Sequence, residues 1–578
     1  MSKVVVGIDF GTSGIGYAFS FSGENPNAIM LSDFHGQNAD NKVSSEIILD
    51  NNLEDVLSFG NECKRYIRTH LDKNKYEYFT NIKMNLYHKK YKIKSTNGKE
   101  ADIELIIYKI LKKVSEDAIV QIKRANGSIK TSDIKWIVTI PAIWEERSKQ
   151  IMINASIKAG LIDKDSDKSL FLALEPEVAG IYYYIASSMT KDAGNNGFIN
   201  EGKPYIICDI GAGTVDICTH RKVMKNNKVS ELIEEYPPIG GDYGGQVINE
   251  EFIKIFIMEI FGEDLVKKLQ TNTNDNEEWA QFEKEIEELK ISCYENELNN
   301  LILDCSLFDD DSIDKTLNDY ISEYDTRESK YKKYKIQGKK RWKLEFSSQI
   351  FIDIAKDLSR KIFTKIEEIY NNVHTGYIIM TGAGSKNDLI TNYFYDFANE
   401  KNMKIEITIP PQREISIMKG AVLFGFQNDI IRKRKAKYSL GVRVYEKWDE
   451  KFKDKGIKSF SEIYKAYVCT NAFSKFITVN QYIKFNEVIR QEYKALFKNT
   501  DIIFYKTYKE NCTFIDEKDE NGQLIIQKFG KINFDIGEDY DINKRDIIIE
   551  MKLGGTYIDV SVIYEKTGKK IDSSITFN

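Results

Sequence analysis

The sequence predicts an α/β protein with two lobes around a central cleft, followed by a β-rich C-terminal domain. The chain has 578 residues, which is too long for one hydrophobic core and requires about two to four domains. An apolar strand that ends in Asp and a glycine-rich turn occurs at Asp9 and again at Asp209. After residue 438, short runs of alternating apolar and polar residues predict strands with one buried face.

The composition excludes several classes of protein. A hydrophobic content of 42% and a charged content of 30% are ordinary for a globular protein. With a formal net charge of −5, no nucleic-acid partner is expected. No apolar run reaches the about 18 residues of a membrane span. The seven cysteines contain no CxxC pair, which excludes a disulfide framework or zinc site. We expect a cytoplasmic monomer.

The first lobe is predicted to span residues 1–195. Val4–Phe10 forms a buried strand, and a glycine-rich turn follows it. A second strand is expected at Trp136–Ile140. The apolar spacing from 151 to 159 predicts a helix that ends at Gly160.

The second lobe is predicted to span residues 196–430. Its first strand, Tyr205–Ile210, again runs into Asp and Gly. The pattern of residues 250–345 predicts a helical insert. A third strand and turn follow at Tyr377–Ser385.

The C-terminal part begins with a basic run at 431–437, which predicts a linker, and continues as a separate β-rich domain at 438–578. A helical segment is expected at about 460–495, and we expect its apolar face to pack on the neighbouring strands as core. The residues of that face are Phe460, Ile463, Tyr464, Tyr467 and Val468.

The first chemical motif is Gly7–Gly14. A carboxylate at a strand end, here Asp9, can hold the water shell of Mg²⁺. Small residues in the following turn let backbone N–H groups approach phosphate oxygens. An ordinary β-hairpin with an exposed Asp would have the same sequence, so this motif alone leaves both interpretations open.

The second motif, Cys208–Asp216, repeats this chemistry. Two such turns that face each other would hold a polyphosphate from both sides, and Asp9 and Asp209 would share one Mg²⁺. The repeat favours this interpretation over two unrelated hairpins.

The third motif is Met380–Ser385, where glycines would let an adenine or ribose lie against the backbone. Asn387 replaces the third glycine of GxGxxG, so a dinucleotide site is not indicated. Glu175, between the two gripping turns, is a candidate additional carboxylate.

Together these segments resemble the heat-shock protein 70 family of the actin-like ATPase superfamily, over about residues 3–430. The three motifs are similar to the family's phosphate loop one, phosphate loop two and adenosine motif. Leu174–Gly180 and Ile415–Gly425 resemble its two connecting helices. The resemblance implies ribonuclease-H-like duplicated lobes.

Three further segments resemble the chaperones rather than sugar kinases or actin: Lys42–Ile47, Asn81–Met84 and Val138–Ala142. The run from Phe79 to Leu86 and the end containing Gly554–Thr556 resemble the divergent heat-shock 70 kDa protein 12-like branch.

The resemblance implies that Asp9 and Asp209 organise Mg²⁺ and the attacking water, that Glu175 and Asp216 complete the carboxylate shell, and that Lys83 steadies the γ-phosphate. The residues implied in ATP or ADP binding are Gly11, Thr12, Ser13, Gly14, Gly211, Gly213, Thr214, Gly240, Gly241, Asp242, Glu287, Lys290, Gly382, Gly384, Ser385 and Glu414.

The sequence departs from the family pattern at several positions. Ile291 and Asn387 stand where the family has arginines that contact adenine, which predicts weaker adenine binding and less discrimination against GTP. Lys149 stands where an arginine relays the switch. The basic run lacks apolar residues that would dock on the lobes, and no helical lid follows the last strands. We therefore expect weak peptide binding that depends little on the nucleotide.

The function that these features predict is a slow, Mg²⁺-dependent ATPase of the chaperone type, with nucleotide-dependent lobe closure and a protein client or regulatory partner. A small-molecule kinase of the same superfamily is an alternative, and it would need an acceptor pocket and a general base. A nucleotide-dependent scaffold with little turnover is the second alternative.

Overall fold

A computed structural model describes most of the chain. The described residues are 3–22, 25–34, 41–70, 72–161, 170–189, 202–225, 228–271, 276–293, 299–309, 315–386, 388–410, 412–495, 499–535, 545–573 and 576–577. The predicted boundary between residues 195 and 196 lies outside them. Within them the fold is mixed α/β with several sheets, as predicted. No helix in these ranges is long and apolar enough to cross a membrane.

The elements up to residue 189 mix strands and helices. The strands are β1 (Val4–Phe10), β2 (Gly14–Ser20), β3 (Met30–Leu31), β4 (Val43–Ser44), β5 (Ile47–Asp50), β6 (Val56–Phe59), β7 (Tyr76–Phe79), β8 (Lys92–Lys94), β9 (Glu100–Asp102), β10 (Ile134–Ile140) and β11 (Leu170–Leu174). The α-helices are α1 (Glu62–Thr69), α2 (Ile82–Tyr87), α3 (Ile103–Ala125), α4 (Glu146–Lys158) and α5 (Glu175–Met189).

The first sheet has the strand order β11-β10-β1-β2-β3, with β4 also paired to β2. Strand β1 runs parallel to β10 and antiparallel to β2, so Asp9 lies opposite Gly16 at the end of the hairpin. Every residue of β1 is buried, which explains its uninterrupted apolar sequence.

The elements from 202 to 426 repeat this arrangement. The strands are β12 (Pro204–Ile210), β13 (Val215–Lys225), β14 (Lys228–Gly241), β15 (Asn300–Asp304), β16 (Gln337–Lys339), β17 (Lys343–Ser347), β18 (Tyr377–Thr381) and β19 (Glu406–Thr408). The α-helices are α6 (Val247–Phe252), α7 (Met258–Phe261), α8 (Glu263–Thr271), α9 (Asn276–Ser292), α10 (Leu317–Thr326), α11 (Gln349–Val373), α12 (Asp388–Glu400) and α13 (Ser416–Phe426).

The second sheet contains the run β19-β18-β12-β13-β14. Strand β12 runs parallel to β18 and antiparallel to β13, which places Asp209 opposite Asp216. The two sheets therefore share one pattern, an antiparallel hairpin beside parallel strands, and each hairpin turn follows an Asp.

Helices α5 and α13 join the two sheets. Residues of both helices and of both sheets share one buried cluster. A Cβ at Gly420 would lie 1.8 Å from the carbonyl oxygen of Val178, so glycine is required where the helices cross. This crossing fixes the N-terminus of α5, which begins at Glu175.

The predicted insert at 250–345 is only partly helical. A π-helical turn at Ile253–Ile257 connects α6 to α7. Strands β15, β16 and β17 form a small antiparallel sheet within the insert. These strands have only three to five residues each and are half-exposed. Their alternation of apolar and polar residues is therefore too short to be distinguished from the helical patterns around it.

The elements after residue 430 are strands with one 3-10 turn, in the part of the chain that is described. The strands are β20 (Ile431–Lys435), β21 (Ser439–Lys447), β22 (Lys458–Ser461), β23 (Ala466–Ile477), β24 (Tyr482–Lys484), β25 (Glu487–Lys494), β26 (Asn499–Thr507), β27 (Ile526–Asp535), β28 (Asp546–Leu553), β29 (Asp559–Tyr564), β30 (Lys569–Ser573) and β31 (Thr576–Phe577). Ten of these strands form a six-stranded sheet, β22-β23-β21-β26-β27-β31, and a four-stranded sheet, β25-β28-β29-β30, while β20 and β24 belong to the second sheet.

The prediction of a linker at 431–437 is wrong. Strand β20 extends the second sheet between β14 and β24. Its Arg434 forms a bidentate ion pair with Glu177 of α5, and Arg434 Nη2 lies 2.9 Å from Glu177 Oε2. A second carboxylate, Glu234, lies 3.6 Å from Arg434 Nη1. The basic run therefore docks through the Arg434 ion pair and through Ile431, which is buried among residues of both sheets. The prediction that this run lacks apolar docking residues is wrong for Ile431.

The prediction of a helix at 460–495 is also wrong, because this segment forms β22 to β25. The spacing of Phe460, Ile463, Tyr464 and Tyr467 comes from a hairpin turn, across which Phe460 lies opposite Tyr467. These four side chains are between 39% and 55% exposed, so they are not core residues. Val468, in contrast, is buried.

Candidate functional site

A cavity of about 790 Å³ lies where the turns of the two sheets meet. Most of the predicted site residues line it. They are Asp9, Gly11, Thr12, Ser13, Gly14, Lys83, Glu175, Asp209, Gly211, Thr214, Gly382 and Glu414. A volume of this size is in the range of cofactor pockets.

The two predicted phosphate turns touch each other. A Cβ at Gly213 would lie 2.9 Å from Thr12 Oγ1 and 2.4 Å from Met84 Sδ. The second turn is closed by a hydrogen bond of 2.9 Å from the Gly211 N–H to the Thr214 carbonyl. Glycine at 213 therefore permits the close approach that forms the cradle.

Four buried carboxylates surround this cradle. Asp9, Glu175, Asp209 and Asp216 are all buried. Burial, then Asp216 and Asp9, raise the pKa of Asp209 to about 7. Burial also raises the pKa of Asp216. The site therefore concentrates carboxyl groups whose ionised forms need a compensating cation.

Two lysines offset part of this charge. Lys83 Nζ lies 2.6 Å from Glu175 Oε1, and Lys42 Nζ lies 2.5 Å from Asp9 Oδ2. Burial alone would lower the pKa of Lys83, but the nearby charges of Glu175 and Asp9 have the larger opposite effect. The pKa of Lys83 is therefore raised, and the lysine is charged. Four carboxylates against two lysines leave room for a divalent cation.

Mg²⁺ fits this donor set through its water shell. The donors are carboxylate oxygens, which hard cations prefer. Within the described ranges, no three His, Cys, Asp or Glu side chains are placed to hold a metal directly. Mg²⁺ keeps several of its waters in proteins, so Asp9 and Asp209 would contact it through them.

The segment after β10 contacts the carboxylates from the side. The backbone N–H of Ile143 donates a hydrogen bond of 3.1 Å to Asp216 Oδ1. From another direction, Thr381 at the end of β18 donates a hydrogen bond of 3.3 Å from its Oγ1 to Asp209 Oδ1. The predicted switch segment, Val138–Ala142, thus leads directly into a residue that holds Asp216.

The chain was compared with known proteins. It is 26% identical to heat shock 70 kDa protein 12A of Mus musculus and 25% identical to that of Homo sapiens, with 99% of the chain and 91% of each relative covered. It is 23% identical to heat shock 70 kDa protein 12B of Homo sapiens, with 100% of the chain and 91% of the relative covered. No family model matches the chain.

This chain resembles the heat-shock 70 kDa protein 12 branch over nearly its whole length. The resemblance stated from the sequence motifs is thereby confirmed.

Several residues implied by the resemblance to this heat-shock 70 branch lie around the cleft without lining it. Gly240 lies beside the β13 hairpin, where a Cβ would be 2.0 Å from the Val215 carbonyl oxygen. Gly241 ends β14, and Asp242 follows it as an exposed residue. Gly384 and Ser385 lie behind Gly382, and Ser385 Oγ donates a hydrogen bond of 2.7 Å to the Gly382 carbonyl.

Two of the residues implied in nucleotide binding, Glu287 and Lys290, lie on α9 and do not line the cavity. Lys290 Nζ lies 2.5 Å from Glu287 Oε2 and donates a hydrogen bond of 3.2 Å to the Gly245 carbonyl. Gly245 N–H in turn donates one of 3.0 Å to the Gly211 carbonyl. Ile291 is 63% exposed. Asn387 lies outside the described residues.

Sequence reasoning missed a role for Lys42. The segment Lys42–Ile47 was singled out by resemblance, but its lysine was given no part in the site. Lys42 reaches Asp9 because β4 pairs with β2, beside the first turn. The available signal was a basic residue at the start of a segment that resembles the chaperones.

Proposed function

We propose that the chain binds ATP with Mg²⁺ in this cleft and hydrolyses it slowly to ADP and phosphate. The observation that carries the proposal is the convergence of four buried carboxylates and Lys83 between two glycine turns. The resemblance to heat-shock 70 kDa protein 12A and 12B supports a heat-shock protein 70-like protein.

Each group of residues has a distinct task in this proposal. The backbone N–H groups of Thr12, Ser13 and Gly213 bind phosphate oxygens and orient them. Lys83, held by Glu175, presents a fixed positive charge to the γ-phosphate as negative charge develops there. Asp209 orients the attacking water. Bound Mg²⁺ neutralises phosphate charge.

The proposal extends to lobe closure and a protein partner. The Ile143–Asp216 hydrogen bond supports a movement of the segment after β10 that follows the state of the cleft. The exposed aromatic hairpin at Phe460 and Tyr467 supports partner binding by the C-terminal strands. All seven cysteines are buried and unpaired, which supports a reducing compartment, the cytoplasm.

Calorimetric titration with ATP and ADP, with and without Mg²⁺, tests the proposal. Saturable ATP binding that strengthens with Mg²⁺ is expected. The Asp9→Asn/Asp209→Asn variant should lose the Mg²⁺ dependence, whereas Asp72→Asn should retain it, because Asp72 is an exposed carboxylate that pairs with Lys75 and does not line the cavity. Binding without Mg²⁺ dependence in the wild type would contradict the proposed site.

The same titration with GTP tests the altered base site. Because Ile291 replaces an arginine and is exposed, we expect ATP and GTP affinities within about tenfold, since a stacked cation contributes about 1–2 kcal/mol. A preference for ATP of a hundredfold would mean that another residue clamps the adenine. Tight binding of ATP without hydrolysis would instead favour the alternative function, a nucleotide-dependent scaffold.

Fluorescence anisotropy with labelled unfolded peptides tests the partner region. Weak binding that changes little between ATP and ADP is expected, because no lid is predicted to open before release. A large acceleration of peptide release by ATP would contradict that part of the proposal.

A further inference from the structure

A second cavity, of about 190 Å³, lies between the α4 region and the C-terminal strands. Its walls come from the segment 142–149, from the end of β20, from the end of β26 and from the loop between β28 and β29. It shares no lining residue with the nucleotide cleft. Its volume corresponds to about six waters, which is too small for a nucleotide but sufficient for a tetrahedral oxyanion with a few waters.

Cations without carboxylate partners line this cavity. Among the described residues, Lys437 and Lys506 have no carboxylate oxygen within the 4.0 Å of an ion pair. Lys506 Nζ lies over the ring of Tyr438, 5.6 Å from its centroid. An ammonium that has no counter-ion on the protein is a ready binding group for an anion.

The carboxylates of the cavity are already occupied. Glu145 Oε1 lies 3.0 Å from Lys89 Nζ, and Glu146 Oε1 lies 3.2 Å from Lys149 Nζ. Glu234 lies beside Arg434, which also pairs with Glu177. Glu146 also acts electrostatically on Lys437 and Lys506, but its ion pair is with Lys149, so neither of these two lysines has a carboxylate of the cavity in direct contact.

A buried donor in the wall also lacks an acceptor. Trp144 is 3% exposed, and its indole Nε1 has no hydrogen-bond partner in the part of the chain that is described. Indole N–H can only donate, and a buried donor without a partner costs free energy. The indole N–H, Lys437 and Lys506 are thus three donors at one cavity that an anion with several acceptor oxygens could satisfy together.

The loop between β28 and β29 brings backbone close to these groups. Gly554 has a φ of +80°, and a Cβ there would lie 2.1 Å from the Lys484 carbonyl oxygen. Lys149 Nζ donates a hydrogen bond of 3.0 Å to the Thr556 carbonyl, and Thr556 Oγ1 donates one of 2.7 Å to the Leu172 carbonyl. The loop is therefore held against the α4 region and closes one side of the cavity.

We propose that this cavity is a binding site for a phosphate group, separate from the nucleotide cleft, with Lys437, Lys506 and the indole N–H of Trp144 as its ligands. The group is either free inorganic phosphate or the phosphate of a small metabolite. Lysine binds phosphate as a point charge. Lys506 lies in β26 and Lys437 lies between β20 and β21, whereas Trp144 comes from the segment before α4. The ligand therefore bridges these two parts of the chain.

Calorimetric titration of the full chain with inorganic phosphate tests the site. The Lys437→Gln/Lys506→Gln variant should weaken phosphate binding by about tenfold for each lysine, since a charge-assisted hydrogen bond contributes that much. Lys433→Gln/Lys447→Gln is the matched control, because it removes the same charge from neighbouring strands outside the cavity. Phosphate affinity that survives in the cavity variant, or falls equally in the control, would overturn the proposal.

Two single variants keep the test valid if the double variant unfolds. Trp144→Phe retains an aromatic side chain and removes the N–H donor, so it should weaken phosphate binding. Lys437→Arg retains the charge and should bind phosphate nearly as well as the wild type. Unchanged binding in Trp144→Phe would contradict the assignment of the indole as a ligand.

Comparison of ligands separates the two sources of phosphate. Tighter binding of inorganic phosphate than of glycerol phosphate indicates the free ion, and the reverse indicates a phosphorylated metabolite. Acetate serves as the monovalent control. Acetate that binds as tightly as phosphate would show a general anion surface and overturn the assignment.

Discussion

Lys83 is a buried cation of the proposed nucleotide cleft, and its substitution should separate catalysis from binding. It presents a fixed charge where the γ-phosphate is proposed to lie, so Lys83→Ala should raise the barrier of the chemical step by about 2–4 kcal/mol. ATP affinity should change much less. Single-turnover hydrolysis and calorimetric binding, measured on the same preparation, give the two quantities.

Lys89→Ala is the matched control for this residue. Lys89 follows the same helix, is exposed and pairs with Glu145 at the surface, so its loss should leave both quantities unchanged. If Lys83→Ala weakens ATP binding as much as it slows hydrolysis, Lys83 acts on the bound ground state and its catalytic role is wrong.

Asp209 makes metal binding depend on pH. Burial and the neighbouring Asp216 and Asp9 raise its pKa to about 7, and metal ligands must be deprotonated. Below pH 7 the binding of Mg²⁺ with nucleotide should therefore release a proton, and the affinity should rise until about pH 8. Calorimetric titration at pH 6.5 in buffers of different ionisation enthalpy measures the number of protons released on binding. The Asp209→Asn variant should release fewer protons than the wild type, because it lacks this carboxyl group.

The same shift predicts how the stability of the metal-free protein depends on pH. The folded pKa of Asp209 lies above its unfolded value, so its contribution favours the folded state at low pH and is lost as the pH rises through about 7. The melting temperature should fall from pH 6 to pH 8 more in the wild type than in Asp209→Asn. Equal slopes would show that Asp209 is ionised throughout this range.

Strand β20 depends on one buried ion pair. The Arg434 side chain is 11% exposed and that of Glu177 is 1% exposed, and removal of one partner leaves a buried charge without compensation. Arg434→Met should lower the free energy of unfolding by about 3–5 kcal/mol, as measured by urea denaturation.

Arg432→Met is the control on the same strand. Arg432 is half-exposed and lies 3.5 Å from Asp429 at the surface, so its loss should cost less than about 1 kcal/mol. The double variant Glu177→Gln/Arg434→Met should recover part of the stability. Equal effects of Arg432→Met and Arg434→Met would show that the buried pair does not hold the strand.

The elements that sequence predicts well are those whose signal is local. The strands that contain Asp9 and Asp209 are almost entirely buried, and a glycine turn follows each, so the pattern is present within about ten residues. The error at 460–495 has a physical cause, because a hairpin turn placed apolar residues three, four and seven positions apart. That spacing is also typical of a helix.

Over the whole molecule, the contacts that sequence could not predict are those that join distant segments. Arg434 and Glu177 are 257 positions apart, and Thr556 and Leu172 are 384 apart. No local pattern identifies such partners. Motifs and resemblance predict the carboxylates and the glycine turns of the cleft. The Lys42–Asp9 pair and the cavity beside Trp144 depend on how distant segments pack, so only the folded structure reveals them.

The proposed hydrolysis of ATP in the cleft is tested most directly by single-turnover release of γ-phosphate. Wild-type protein in excess over ATP with Mg²⁺ should convert the bound ATP to ADP in one slow phase, while Asp209→Asn should bind ATP and convert none. Removal of Mg²⁺ should also stop the reaction. Hydrolysis by Asp209→Asn at the wild-type rate would contradict the account, and so would ATP that remains intact on the wild-type protein.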